Sequence, residues 1–216
     1  MEERDSRKII LDKIRAAKIS QEERIKTSFP KHQHDSSKYL PEPDDLPEVM
    51  FARNLNQVKG KFVYCPNQKE LILALRILFH EEKWERIYCG EPSIMEYVKR
   101  AGLPFFQDTG QIPAVEAAIT GCEFLVARTG SVMVSSAQGS GRRIFGYAPV
   151  HIVIARTSQL VMEIRDALSA IKGKYQEIPS QISLISGPSR TADIEKTLVM
   201  GVHGPHDLYV FLLNEN

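Results

Sequence analysis

From about residue 50 onward the chain alternates short apolar runs with amphipathic helical segments, and that alternation leaves few folds open. Residues 61–65 (KFVYC) and 86–89 (RIYC, ended by Gly90) read as strands. Between them, residues 67–82 read as a helix, with Asn67 as N-cap and Leu71, Leu75 and Leu78 on one face. A helix over 92–100 starts at Pro92, a favoured first position. Residues 112–119 fit another helix, stopped at Gly121. Apolar runs at 123–127, 131–135 and 150–155 read as strands. A long helix follows, with Ser158 as cap and Leu160, Ile164, Leu168 and Ile171 inward. Strands at 182–186 and 208–213 close the pattern. Such alternation predicts a mostly parallel sheet covered on both faces. The runs at 123–127 and 131–135 meet at Arg128-Thr129-Gly130, a hairpin signal. The expected architecture is a three-layer α/β/α fold with a mixed sheet.

The first 50 residues are different in kind. They hold 10 Lys and Arg and 11 Asp and Glu, about twice the charge density of the remainder. Ile10, Ile14 and Ala17 share a thin helical stripe over residues 4–25. Residues 27–48 carry four prolines and read as an extended linker. The expected division is an N-terminal helix and Pro-rich linker over 1–47, then an α/β domain over 48–216.

Charge and cysteine usage narrow the partners. The 28 Lys and Arg nearly cancel the 27 Asp and Glu, so no positive field favours nucleic acid. No stretch approaches the ~20 apolar residues of a membrane span, so no membrane insertion is expected. The start, MEERDSRKII, lacks the apolar run of a signal peptide. Cys65, Cys89 and Cys122 are far apart and form no CxxC, so neither zinc nor an iron–sulfur cluster is expected in this chain. An odd, sparse cysteine count suits a reduced compartment, and the expected location is cytoplasmic.

Common nucleotide and zinc motifs fail. There is no GxxxxGK[ST]. Gly139-Ser140-Gly141 begins like GxGxxG, but Ile144 takes the last glycine position and a strand is expected to follow. His80-Glu81 begins like HExxH, but Trp84 replaces the second histidine.

Three glycine-containing segments remain as candidates. Thr129-Gly130-Ser131 offers hydroxyls and turn N–H groups to an anion; the structural alternative is that Gly130 only supplies a positive φ. Residues 135–143 form a small polar loop ending in Arg142-Arg143, whose guanidiniums can grip an anion or be merely solvated. In Ser186-Gly187-Pro188-Ser189-Arg190-Thr191-Ala192-Asp193-Ile194-Glu195 a strand end feeds a helical turn, capped by Ser189 or Thr191. Arg190 adds positive charge there, or pairs with Asp193 or Glu195. His151, His203 and His206 could shuttle protons or order turns.

The third segment and its continuation, Val199-Met200-Gly201-Val202-His203-Gly204-Pro205 and a closing apolar strand, resemble the C-terminal signature of the lactate utilization (LUD) domain family, protein C or YkgG-like type. Ala127-Arg128-Thr129-Gly130-Ser131-Val132 and Pro149-Val150-His151-Ile152 resemble its middle. The resemblance implies a superfold shared with ribose-phosphate isomerase, glucosamine-phosphate deaminase and CoA-transferases. It implies an accessory component of lactate or 2-hydroxy-acid oxidation, working with iron–sulfur partner subunits in electron transport. A small anionic metabolite or phosphorylated cofactor would bind Thr129, Gly130, Ser131, Arg142, Gly187, Ser189, Arg190 and Thr191, with Asp193 and His203 orienting groups or moving protons. An isomerase-like or acyl/CoA-transferase-like enzyme is the alternative, marked by a carboxylate such as Asp108, Asp193 or Glu195 beside Thr129. A docking subunit without a small-molecule site is the third reading, and homodimerisation stays open. The chain departs from the family at Arg128, where relatives usually carry an acidic residue.

Overall fold

The computed structural model of the chain describes residues 46–192, 198–200 and 204–215, with 190–192 and 198–200 described by backbone alone. The expected helix over 4–25 and linker up to residue 45 lie outside the described residues.

Helix α1 (Pro47–Gln57) opens on a proline at its first position and buries Met50, Phe51 and Leu55. The sequence pattern assigns this segment no element, because its charged and polar residues dilute the apolar stripe. Strand β1 (Lys61–Cys65) and helix α2 (Gln68–Glu82) follow. The Asn67 side chain accepts a hydrogen bond from the Glu70 N–H at 3.0 Å, which is the expected cap. Leu71, Leu75 and Phe79 are the buried positions of α2; Leu78 is only half-buried. Strand β2 (Ile87–Tyr88) and helix α3 (Pro92–Arg100) also lie where the pattern puts them.

Residues 112–119 do not form a helix. Thr109–Ala114 is a 3₁₀ turn containing Pro113, and Ala117–Thr120 is strand β3, buried throughout. Pro113 is compatible with a short turn but not with an α-helix interior. Ala-Ala-Ile-Thr is covered on both faces, and a continuous apolar run has no period to separate strand from helix.

The hairpin is present: β4 (Phe124–Val126) and β5 (Ser131–Ser135) pair antiparallel around a 3₁₀ turn at Ala127–Thr129. The stretch after Ser140 is a correction. Gly141–Tyr147 forms a short helix, α4, before strand β6 (Val150–Arg156). Ile144 and Phe145 are buried, and they anchor this turn although Gly and Arg obscure it in the sequence. Helix α5 (Ile164–Lys174) starts six residues after the expected cap, Ser158. Residues 157–159 are a 3₁₀ turn, and β7 (Leu160–Val161) pairs with β4. Ala167 and Ile171 are its buried residues, while Leu168 is exposed.

Strand β8 (Ile182–Ile185) pairs antiparallel with β5. Ser189 and Thr191 cap no helix: β9 (Arg190–Ala192) pairs antiparallel with β10 (Leu198–Met200). Thr191, as a β-branched residue, suits that strand. The last element is β11 (Asp207–Leu213).

The strands make a parallel sheet in the order β1–β11–β6–β3–β2 and a mixed sheet in the order β7–β4–β5–β8, beside the β9–β10 pair. Alternation along the strands divides the core. Ile152, Ile154, Phe211 and Leu213 meet Leu71, Leu75 and Val98 of α2 and α3. Val153, Ala155, Val210 and Leu212 face Phe51 and Leu55 of α1 and Leu125, Val132 and Val134 of the mixed sheet. On the far side of the mixed sheet, Val126 and Met133 meet Ala167 and Ile171 of α5. The fold is therefore α/β/α, with the strand layer doubled where the mixed sheet stacks. Among the described residues no helix is long and apolar enough to cross a membrane.

Gly130 fixes the contact between the hairpin turn and α1. Its φ is +58°, and an added Cβ would meet the backbone of Asn54 and Leu55, with Leu55 Cα at 2.8 Å. Gly130→Ala should cost about 2–4 kcal/mol, from left-handed strain plus backbone overlap. Gly173, in α5, has open space and should gain about half a kcal/mol on change to alanine. Urea unfolding of both variants checks the contrast.

Candidate functional site

The two glycine loops meet. Ser131, buried at the start of β5, lies 2.6 Å from the Ser186 hydroxyl just past β8, oxygen to oxygen. That bond places Thr129-Gly130-Ser131 beside Ser186-Gly187. Helix α1, however, occupies the side of both glycines where a ligand would approach. Gly187 has φ +87°, and a Cβ there would meet the Val58 carbonyl and side chain. The Asn54 amide donates to the Ala127 and Arg128 carbonyls at 2.9 and 3.0 Å. Thr129 Oγ1 is buried without a hydrogen-bond partner among the described residues.

The remaining expected residues are scattered. Arg142 donates to Ser180 Oγ at 2.9 Å, near the end of the β5–β8 ladder opposite Ser131. A five-residue strand separates those ends by about 13 Å, so Arg142 does not close over the Thr129 turn. Ser189 donates its N–H to the Pro205 carbonyl at 2.7 Å. Arg190 and Thr191 lie on β9, their side chains undescribed; Asp193, Glu195 and His203 lie outside the described residues. Asp108 is exposed and accepts from the Gly110 N–H at 2.9 Å, capping a turn. Arg128 pairs with Glu163, directly before α5, which neutralises the charge that departs from the family pattern.

A polar cavity of about 250 Å³ lies elsewhere, at the carboxyl ends of β2, β3 and β6. Ligands of open α/β sheets bind at that edge, because strand ends and helix starts leave backbone groups free there. Glu91 follows β2 directly, as the N-cap residue of α3. Its Oε1 accepts from the Gly121 N–H at 3.1 Å and the Ser140 hydroxyl at 2.7 Å. Gly121 and Gly139 let the chain press against this carboxylate: a Cβ on Gly121 would stand 2.8 Å from Oε2. Burial pushes the Glu91 pKa up, against the lowering effect of its hydrogen bonds.

A second carboxylate stands next to the cavity. Glu123 is 1% exposed and accepts from Ser135 Oγ at 2.6 Å, Lys174 Nζ at 2.7 Å and the Tyr175 hydroxyl at 2.8 Å. Burial works to raise its pKa, but the Lys174, Ser135 and Tyr175 bonds outweigh burial and hold it below the ordinary value. Lys174, Tyr175, Arg156, Gln159 and Gln138 line the cavity. Gln138 takes the Ser135 N–H on its Oε1 at 2.9 Å, while its Nε2 is buried beside the Glu91 carboxylate, whose charged form it favours, without reaching a well-formed hydrogen bond. A buried donor left open in a polar cavity calls for an acceptor from a ligand or water. A larger groove of about 600 Å³ on α1 and β1 is mostly apolar, lined by Leu46, Val49, Phe62 and Tyr64 together with Glu48 and Arg53.

Residues 109–213 match the family model of the LUD domain. That stretch is similar to the LUD domain. Within the matched residues fall Glu123, Gln138, Arg156 and Lys174; Glu91 lies outside them. A similar protein is an uncharacterized protein of Neisseria meningitidis serogroup B, 36% identical over 99 residues, covering 46% of this chain and 42% of its own length. Lactate utilization protein C of Deinococcus radiodurans is 32% identical over 104 residues, 48% of this chain and 49% of that protein. Lactate utilization protein C of Shouchella clausii is 38% identical over 97 residues, 44% and 42% of the two chains. The matches span less than half the length of these curated relatives. The crystal structure of a DUF162 family protein from Deinococcus radiodurans aligns with TM-score 0.56 over 77% of this chain and 96% of that chain, at 18% identity, a likeness of fold.

Sequence reasoning did not find Glu91, Glu123 or Lys174; Gln138 lies in the 135–143 loop it singled out, though for Arg142 and Arg143 and not for this amide. Glu91 carried a usable signal: Gly90 ends a strand and Pro92 starts a helix, which is the strand-end rule applied above to Ser186–Glu195. Glu123 was hidden by reading β3 as a helix.

The Glu123–Lys174 pair has a testable pH consequence. Glu123 is held below its ordinary 4.5 in the fold, so its stabilisation is complete above that pH and is lost as pH falls through the lowered value. Lys174→Met leaves a buried carboxylate short of a donor and should cost about 1–3 kcal/mol near neutrality. The variant should also lose less stability than the parent on acidification, because Glu123 then takes up its proton in the fold more readily. Urea unfolding between pH 3 and pH 7 reads both effects.

Proposed function

We propose that this LUD-like chain binds a small carboxylate metabolite of lactate oxidation, L-lactate or pyruvate, as an accessory component of lactate utilization. The observation that carries the reading is the cavity at the parallel strand ends, with the Gln138 amide, Lys174 (paired with Glu123) and Arg156 (paired with Glu215 at 2.8 Å) on its wall. Its volume of about 250 Å³ suits a compact metabolite better than a dinucleotide or coenzyme A. The names of similar proteins, lactate utilization protein C, support the substrate class. Oxidation of a 2-hydroxy acid releases two electrons, and iron–sulfur partner subunits in the cytoplasm are the acceptors this reading assigns to them. The Thr129-Gly130-Ser131 turn and Gly187 serve in this reading as the seat of α1 and its C-cap Val58, and the ligand lies at Glu91 and Lys174.

Titration calorimetry of the full chain with L-lactate and pyruvate tests the proposal. Gln138→Glu keeps the oxygen that accepts the Ser135 N–H and replaces the open donor with negative charge. Binding of either carboxylate should weaken at least tenfold in that variant. Equal affinity in parent and variant, or no heat from either ligand, would reject the site.

A further inference from the structure

We propose that Glu91 is an acid–base catalyst, which removes a proton from the carbon beside the carbonyl of a 2-oxo carboxylate in this cavity and returns it. The inference rests on the cavity being a carboxylate site, and goes beyond binding to turnover. Glu91 Oε1 is held by two donors from separate segments, Gly121 and Ser140, so that oxygen is anchored at the cavity wall. Both well-formed hydrogen bonds fall on Oε1, the Gln138 amide is the further donor beside the carboxylate, and Glu91 lines the cavity, so Oε2 is left for chemistry once a substrate takes that amide. A base is most effective when its pKa lies near the working pH. Burial moves Glu91 in that direction, and the Glu123 charge adds to the rise.

The groups facing Glu91 across the cavity suit the same step. Lys174, Tyr175 and Arg156 come from α5, its C-terminal end and β6, and Cys122 follows β3. Lys174 and Arg156, each already paired with one carboxylate, Glu123 and Glu215, offer remaining hydrogen-bond donors to the substrate carboxylate. The open Gln138 N–H offers a donor to the carbonyl oxygen, where negative charge grows in the transition state. In the step, the C3–H bond of the 2-oxo acid breaks and its proton passes to Glu91 Oε2. The C–H electron pair forms the C2=C3 bond, and the carbonyl pair moves onto the C2 oxygen as an enolate. Reversal returns a proton to C3. Atoms and electrons balance without an oxidant.

Pyruvate in deuterium oxide provides the assay. Proton NMR follows loss of the methyl signal, and calorimetry follows binding separately. The full-length parent should exchange methyl protons at least tenfold faster than buffer. Glu91→Gln retains the oxygen that accepts from Gly121 and Ser140, so it should bind pyruvate within threefold of the parent and exchange at the buffer rate. Ser140→Ala removes a donor that favours the charged carboxylate, so exchange should persist with its pH midpoint moved upward. Binding without exchange in the parent overturns the catalytic assignment and leaves the binding site standing. Undiminished exchange in Glu91→Gln also overturns it. Should that variant fail to fold, an unmoved midpoint in Ser140→Ala does so instead. Absence of pyruvate binding removes both the site and the step.

Discussion

Glu91 Oε1 accepts hydrogen bonds from the Gly121 amide and the Ser140 hydroxyl, and so joins three segments that are far apart in the chain. One follows β2, one follows β3 and one precedes α4. The glycines around it make that approach possible. Gly139 would place a Cβ 3.4 Å from Glu91 Cγ, and Gly121 would place one 2.8 Å from Oε2. A carboxylate so enclosed must be hydrogen-bonded or protonated, because leaving it charged and unpaired costs several kcal/mol. The position of α3 and the turn into α4 are thereby coupled to one ionisable group. The cavity beside it inherits this geometry.

The glycine loops show the opposite use of similar chemistry. Thr129-Gly130-Ser131 and Ser186-Gly187 have the hydroxyls and positive φ values that an anion cradle needs, and the Ser131–Ser186 bond brings them together. The same positive φ values let Leu55 and Val58 approach where a side chain would otherwise stand. Asn54 then takes up the carbonyls of the turn. Composition cannot separate the two uses, since a glycine that admits a helix and one that admits a phosphate look alike. The deciding information is tertiary, and it comes from α1, the element whose apolar stripe is too diluted to read.

Elements with a local signature were legible: the Asn67 cap, the Pro92 start, the Gly130 hairpin and the apolar β6 and β11. Those set by tertiary cover were not. Ala117–Thr120 is a strand because both faces are packed, not because its residues favour extension. Leu160 falls on the helical period of α5 by coincidence, and its pairing with Leu125 decides otherwise. The candidate site suffered from the same error. Once β3 is read as a helix, Gly121, Cys122 and Glu123 no longer follow a parallel strand, and the strand-end rule has nothing to act on. Lys174 and Tyr175 reach the cavity only because α5 packs on the outer face of the mixed sheet, a placement no local pattern encodes.

Where a small carboxylate settles decides between the strand-end cavity and the glycine loops. A nitrogen–proton correlation spectrum of the labelled full-length chain, titrated with pyruvate, locates it residue by residue. The largest shifts should fall on the amides of Ser93, Gly121, Gln138 and Tyr175, around the strand-end cavity. Shifts centred instead on Thr129 to Ser131 and Gly187 to Ser189 would return the site to the glycine loops and contradict the account.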